Sequence, residues 1–180
     1  MKKLAFLTLV ALAFAISSCG NTTPTNVTNT QASGNWEAQL TRLTGDAAGL
    51  SFVTAFSVTN SGPLDITGFG FLNSGECFAT GKDNENLTGS ASFTTASTGQ
   101  VTGQLTFTVN SINPPGNVLT LTSPAGGLTG TSNGTTTTTG TLSNGVVQGT
   151  WTLTAGASTP DCTGTGNFLM CQGAATCTVP

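Results

Sequence analysis

The stretch VTGQLTFTV, residues 101–109, alternates apolar or small residues with polar ones at every second position. Successive side chains of a β-strand point to opposite faces of a sheet, so this pattern predicts one face on a core and one face in water. Thr supplies much of the polar face, because its β-branched side chain favours strands while its hydroxyl stays in contact with solvent. The same alternation occurs in residues 87–94 and 147–154. Together these stretches indicate an all-β, antiparallel fold.

Turn-forming residues divide the chain after residue 34 into short segments, as a meander of antiparallel strands requires. We predict about eight to ten strands and no helix in this region. The run 135–139 is either an exposed strand or a loop. The predicted spans are 34–43, 50–59, 64–72, 76–80, 86–94, 100–110, 117–123, 126–131, 136–142, 145–154 and 162–169.

A weak repeat, apolar-Thr-Gly followed after three intervening residues by another apolar residue, places Gly on the apolar face of several strands. Copies begin at Ile66, Leu87, Val101 and Cys162, at irregular distances along the chain. Gly weakens a strand unless sharp bending or the close approach of another chain requires it. Inward glycines are what a closed or strongly coiled sheet needs. We therefore predict a β-barrel, with a β-sandwich as the second choice.

The N-terminus has the features of an export signal. Lys2 and Lys3 precede an apolar run, Leu4–Ile16, whose helical length of roughly 20 Å is too short for a bilayer core of ~30 Å. This predicts a signal peptide over residues 1–18. The sequence ISSC, residues 16–19, resembles the lipobox of bacterial lipoproteins. The resemblance implies that Cys19 becomes the first residue and carries acyl chains such as palmitate; the alternative is an ordinary secretory signal with a chance cysteine.

The residues after Cys19 predict a tether and a location. Two or more acyl chains hold a protein stably on a membrane, whereas one does so only marginally. Gly20 rather than Asp follows Cys19, which in lipoproteins of cells with two membranes implies the outer membrane. The Asn/Thr-rich run up to Ser33 has little apolar surface to bury. We therefore expect a lipidated Cys and flexible tether over 19–33 and a single β-domain over 34–180, outside the cytoplasm, with the membrane as partner through the lipid.

Charge is sparse in the predicted mature chain. Arg42 and Lys82 are its only basic residues against seven acids, which gives 2 − 7 = −5. Nucleic-acid binding depends on Lys and Arg that neutralise phosphates. The composition therefore excludes a nucleic-acid-binding protein.

Four cysteines remain once Cys19 is lipidated, and an even number in an exported domain predicts two disulfides, with three possible pairings. A strand from Cys162 would place Cys171 roughly 30 Å away, far beyond the ~6 Å that a disulfide allows between Cα atoms. Of the remaining pairings we favour Cys77–Cys162 with Cys171–Cys177. The paired spacing of a zinc site is missing, so we expect no metal.

The absence of His excludes Ser-His-Asp and Cys-His catalysis and histidine metal sites. A carboxylate pair of the glycosidase kind remains conceivable, but most of the acids lie in or beside turns, where they are solvated. Residues 83–86 place oxygen ligands in a row that suits weak calcium binding, although a plain hairpin turn is the preferred interpretation. We therefore expect no enzyme and no cofactor. The carboxylates considered are Asp65, Glu76, Asp83, Glu85 and Asp161.

Two tripeptides are similar to barrel families. GNW at 34–36 is similar to the Gly-x-Trp of lipocalins, and GTW at 149–151 is similar to a strand of avidin-type barrels. These resemblances imply a barrel with a ligand cavity; a Trp that plugs the barrel end is the alternative. The chain lacks Tyr and a second lipocalin motif. As a whole it resembles Gly/Thr-rich bacterial lipoproteins of uncharacterised activity, a likeness that implies no function.

Two hypotheses about function follow, and they differ in how the core is filled. The first is a structural or interaction module that presents a polar surface to other envelope proteins. The second is a carrier of a small apolar ligand, which needs an open cavity of roughly 300 Å³ or more. Small barrels instead fill their interior with side chains. We favour the first hypothesis; the candidate cavity residues for the second are Trp36, Phe52, Phe56, Phe107 and Trp151.

Overall fold

The computed structural model describes residues 29–45, 49–80, 83–134, 137–173 and 177. They form ten strands and no helix, which confirms the all-β prediction and its upper strand count. The strands are β1 (Thr30–Gly45), β2 (Ser51–Thr59), β3 (Ser61–Pro63), β4 (Asp65–Asn73), β5 (Glu85–Thr95), β6 (Gln100–Ser111), β7 (Val118–Thr122), β8 (Leu128–Ser132), β9 (Gly140–Thr154) and β10 (Gly164–Gln172).

One sheet contains all ten strands, in the order β3-β5-β6-β7-β9-β10-β1-β2-β4. Strand β8 shares the position of β7, because both pair with β6 on one side and with β9 on the other. The pairings are antiparallel except for a two-residue parallel contact between β1 and β9. The strands at the two ends of the order, β3 and β4, are consecutive in the chain and are separated only by Leu64.

The alternating strand directions give the sheet two ends, which we call the upper and the lower end. The upper end contains Thr30, where β1 begins, together with Thr95 and Ser132. The lower end contains Asn117 and the Cys77–Cys162 disulfide. Residue 29, the first that the structure describes, therefore lies at the upper end.

The core follows the predicted period of two. In β6, Leu105, Phe107 and Val109 are buried, whereas Thr106 and Thr108 between them remain partly exposed. The inward side chains of all strands except β3 join one hydrophobic cluster. Removal of apolar surface from water at about 25 cal/mol per Å² is the main stabilising contribution to such a core.

Two glycines of the repeat lie where a side chain has no room. A Cβ on Gly89 would lie 2.6 Å from Leu64 Cδ1 and 2.8 Å from the Thr106 carbonyl oxygen. A Cβ on Gly164 would lie 2.9 Å from the Trp151 ring. The predicted close approach of neighbouring chain at these positions is therefore confirmed.

The disulfide pairing that we favoured is confirmed. Cys77 bonds to Cys162 with a Cα–Cα distance of 5.4 Å, and Cys171 bonds to Cys177 at 5.5 Å. The first bond joins two loops at the lower end of the sheet. The second joins Cys171, within β10, to Cys177.

Several predicted boundaries are wrong. The predicted strand 76–80 is a turn and an irregular segment that Cys77 ties to Cys162. The predicted strands 136–142 and 145–154 overlap a single strand, β9. Asn144 has a φ of 52°, and the β8–β9 register shifts next to it, so Asn144-Gly145 forms a β-bulge within β9 and not a break between two strands.

Two further corrections concern the start of the domain and β4. Strand β1 begins at Thr30, so residues 30–33, assigned to the tether, belong to the sheet. The repeat placed Leu72 on the apolar face, but Leu72 is 59% exposed and Phe69 and Phe71 pack against the core. A register shift between β4 and β2 explains the difference, since one extra residue exchanges the two faces of a strand.

Candidate functional site

The five residues of the predicted ligand cavity all belong to the buried core, and four of them stack in two pairs. Each is at most 2% exposed. Trp36 stacks on Phe56 with ring centroids 5.1 Å apart, and Phe52 stacks on Phe107 at 5.5 Å. The Trp151 indole N–H donates to the Thr41 carbonyl oxygen at 3.0 Å. These side chains fill the space that a carrier would leave open.

Trp36 is the one member of this group that borders a described cleft. The cleft has a volume of about 500 Å³, lies towards the upper end and is lined by residues of β1, β9 and β10. Gln172 spans it, donating to the carbonyl oxygens of Ser33 (2.8 Å) and Leu142 (2.9 Å). The Trp36 indole nitrogen is buried without a hydrogen-bond partner. A polar side chain thus crosses the cleft beside a nearly fully buried ring.

Three hydroxyls close the interior at the upper end. Thr30 Oγ1 lies 2.8 Å from Thr95 Oγ1 and 2.9 Å from Ser132 Oγ, and all three residues are buried. Asn60 adds a link, because its side chain accepts from the Thr30 backbone N–H at 2.8 Å. Sequence analysis missed this cluster, since its members are widely separated in the chain and look like ordinary outward Thr and Ser.

Asn117 connects three loops at the lower end and is fully buried. Its amide nitrogen donates to the Cys77 carbonyl oxygen at 2.5 Å. Its side-chain oxygen accepts from the Gly156 N–H at 2.6 Å and from the Thr159 hydroxyl at 2.7 Å. The side chain therefore satisfies buried backbone groups next to the Cys77–Cys162 disulfide.

Replacing Asn117 with Ala is expected to lower the free energy of unfolding by about 2–4 kcal/mol. The variant leaves the Gly156 N–H and the Cys77 carbonyl buried without partners, and each such group costs about 1–3 kcal/mol. Chemical denaturation followed by tryptophan fluorescence measures the loss. Asn113→Ala, at an exposed site in the same β6–β7 loop, is the matched control and should change stability by less than about 0.5 kcal/mol.

Another cleft, which we call the seam cleft, lies between β4 and β5. Its volume is about 410 Å³, and it is lined by Ile66, Thr67, Gly68, Phe69, Asp83, Glu85 and Leu87. It exists because β3 pairs with β5 up to Pro63 and Ser90, whereas β4 leaves β5 and pairs with β2. Most of its lining surface is polar and includes the carboxylates of Asp83 and Glu85. Ile66, Phe69 and Leu87 contribute its apolar part.

Glu85 is only partly covered, but one of its carboxyl oxygens, Oε1, is buried without a hydrogen-bond partner. Burial raises the pKa of Glu85 above its ordinary value, because desolvation disfavours the charged form. No described residue that lines the cleft is basic. The described wall of the cleft therefore contains no basic side chain that could pair with the Glu85 carboxylate.

Glu85→Gln is expected to stabilise the protein at pH 7 by a few tenths of a kcal/mol. An acid whose pKa is raised by folding binds its proton more tightly in the folded state, so its ionisation opposes folding above that raised pKa. The gain should shrink as the pH falls through the raised value and should vanish below about pH 4, where Glu85 is protonated in both states. Denaturation at a series of pH values measures this, with Glu76→Gln as the control; a gain that persists at pH 3 would contradict the assignment.

The other candidate carboxylates are not brought into this cleft. Asp65 begins β4 near the upper end, opposite Ser57 of β2. Glu76 and Asp161 lie in loops at the lower end. Residues 83 and 84 form a turn that leads into β5, as predicted, but it is not a hairpin turn, because β4 and β5 do not pair. Among the described residues, no three acidic or sulfur side chains are grouped so as to hold a metal ion.

The predicted lipidation residue, Cys19, lies outside the described residues, as does most of the predicted signal and tether region. Within the part of the chain that the structure covers, no helix is long and apolar enough to cross a membrane.

Comparison with known proteins gave no match: no family model, no curated protein and no solved structure resembles the chain closely enough to be assigned.

Proposed function

We propose that this protein is a lipid-anchored component of a bacterial cell envelope and that its β-domain works as an interaction module. Cys19 carries the lipid, and Gly20 after it favours the outer membrane as the destination. The domain lies outside the cytoplasm and acts neither as an enzyme nor as a carrier. The absence of His and the lipobox-like sequence at residues 16–19 support this proposal.

The filled core is the observation that carries the choice between interaction module and carrier. A carrier of an apolar ligand needs an interior space of roughly 300 Å³ or more. Instead, all five candidate residues are buried in the core, with Trp36 stacked on Phe56 and Phe52 stacked on Phe107. Three described clefts have volumes in the ligand range, including one of about 760 Å³ beside Gly149 and Phe168, but of these five residues only Trp36 lines any of them.

We further propose that the sheet curls into a barrel, closed at its upper end and parted along the seam cleft. Support comes from the two strands at the ends of the sheet order, β3 and β4, which are joined through Leu64. The Leu64 N–H also donates to the Gly89 carbonyl oxygen of β5 at 2.9 Å. A flat sheet of this strand order would hold β3 and β4 far apart.

The anchor and the upper end of the sheet lie close together in the sequence. Ten residues, 19–28, separate the lipid from the described chain. A chain of this length reaches at most roughly 35 Å. On this proposal the upper end of the domain faces the membrane, and the lower end, with the Cys77–Cys162 disulfide, faces away from it.

Native mass spectrometry of the full-length chain purified from its own host tests the carrier alternative. We expect a mass that equals the polypeptide plus its acyl groups. A further small apolar molecule bound in stoichiometric amount would overturn the interaction proposal in favour of a carrier.

Metabolic labelling with a palmitate analogue tests the anchor. The wild-type chain should take up label, and Cys19→Ser should take up none. Thr22→Ser, three residues further along, is the matched control and should label like wild type. Equal labelling of Cys19→Ser and wild type would remove the anchor from the proposal.

A further inference from the structure

Strand β5 keeps a short unpaired edge inside the seam cleft. Its other edge pairs with β6 over the whole strand, but β3 covers this edge only at residues 90–92. Below that point the last hydrogen bond is the one from the Leu64 N–H to the Gly89 carbonyl oxygen. Backbone groups of a strand point to alternate sides, so those of Leu87 and Glu85 point into the cleft as Gly89 does.

Apolar side chains flank this edge. Ile66 and Phe69 of β4 line one wall of the cleft, and Leu87 of β5 lines the other. Ile66, Phe69 and Leu87 are half-buried and packed on the core cluster from one side only. The edge therefore combines free backbone donors and acceptors with apolar side-chain surface.

The charge in the cleft has one sign. Asp83 and Glu85 both line it, and none of its described lining residues is basic. The Glu85 Oε1 atom is already withdrawn from solvent without a partner. A cation that enters the cleft would find a carboxylate with one oxygen, Oε1, already shielded from water, which strengthens the attraction between them.

We propose that the seam cleft accepts an extended segment of a partner protein, which pairs with the β5 edge and places a Lys or Arg side chain beside Glu85. The inference rests on the proposed interaction function and gives it a site and a partner chemistry. Strand addition of this kind takes affinity from main-chain hydrogen bonds and specificity from alternate side chains. Here the specific element is one basic side chain between aliphatic or aromatic neighbours.

The free edge favours a peptide over a small amine. An amine would meet Glu85 but would leave the backbone groups of Leu87 without partners, whereas a strand satisfies both. The exposed edge is short, running from Glu85 to Thr88, so the complex buries little surface and should be weak and reversible.

A displayed library of random eight-residue peptides, selected against the full-length chain, tests the proposal. We expect the enriched sequences to contain one Lys or Arg flanked by β-branched or aromatic residues. Synthetic versions should bind at least tenfold more weakly to Glu85→Gln and should keep their affinity for Glu76→Gln, since Glu76 lies at the same end of the sheet outside the cleft. In nuclear magnetic resonance titrations, the amides of Glu85 and Leu87 should shift first.

Three outcomes would overturn the proposal. First, the enriched peptides could lack basic residues, or the selection could enrich no peptide at all. Peptides methylated on alternate backbone nitrogens, or butylamine alone, could bind as well as the parent peptide, which would remove the strand pairing. The Glu85→Gln variant could form dimers in sedimentation experiments, which would mean that Glu85 serves to prevent edge-to-edge association of two copies. If one of these outcomes is found but native mass spectrometry shows no bound ligand, the seam site is rejected and the proposal of an interaction module still stands.

Discussion

Replacing both Cys77 and Cys162 with Ala is expected to lower the free energy of unfolding by about 4–5 kcal/mol. The two residues are 85 apart in sequence. On the chain-entropy account, a cross-link restricts the unfolded chain more strongly when it closes a longer loop, and a loop of this length gives about 4.6 kcal/mol. The cross-link also holds the 74–80 loop against the 155–163 loop, where Asn117 bonds to both.

The second disulfide is the matched control. Cys171 and Cys177 are only 6 residues apart, so their replacement by Ala should cost about 2 kcal/mol. Guanidinium denaturation followed by tryptophan fluorescence measures both variants under the same oxidising conditions. Equal losses for the two pairs would contradict the loop-length argument. If the Cys77/Cys162 variant does not fold at all, the difference in denaturation midpoint between wild type and the Cys171/Cys177 variant still tests the predicted loss of about 2 kcal/mol.

Local alternation predicted the strands that pair along their whole length. Strands β2, β5 and β6 begin and end within one residue of their predicted spans. In these strands the buried face, the polar face and the flanking turns all predict the same beginning and end of the strand. The disulfide pairing could be predicted only in part: strand geometry removed the pairing of Cys162 with Cys171 and left two pairings, of which the favoured one is observed.

The errors arise where long-range pairing decides the structure. Strand β3 is three residues long and contains Pro63, and only its partner β5 makes it a strand. Asn144 with positive φ suits a turn and a bulge equally, and pairing with β8 selects the bulge. Neither choice can be made from the neighbouring residues.

The candidate site was accessible only in part. The sequence shows Asp83 and Glu85 only as carboxylates beside a turn. The apolar side chains opposite them belong to β4, which pairs with β2 and not with β5, so they cannot be assigned to this cleft from the neighbouring sequence. Asn117 likewise follows a Pro-Gly turn in the sequence and gives no sign of burial. Its role depends on Cys77 and Gly156, which are 40 and 39 residues away.

Replacing Trp151 with Ala is expected to cost about 3–5 kcal/mol, the usual range for an aromatic side chain removed from a core. Trp151 is 1% exposed, and its ring lies directly over Gly164. No side chain at position 164 can expand into the space, because that residue is Gly. The cavity therefore collapses poorly, which places the loss in the upper part of the range. Thr152→Ala, on the exposed face of the same strand, should change stability by less than about 0.5 kcal/mol.

The two tryptophans separate ring packing from hydrogen bonding. The Trp151 N–H donates to the Thr41 carbonyl oxygen, whereas the Trp36 nitrogen is buried without a partner. Replacement by Phe shortens both rings similarly but removes a hydrogen bond only at Trp151. Trp151→Phe should therefore cost about 1 kcal/mol more than Trp36→Phe, the usual net value of one such bond. Denaturation of the two Phe variants, each followed by the fluorescence of the remaining Trp, measures the difference; a larger loss at Trp36 would mean that its N–H has a partner in solution and that the cleft beside it holds an acceptor.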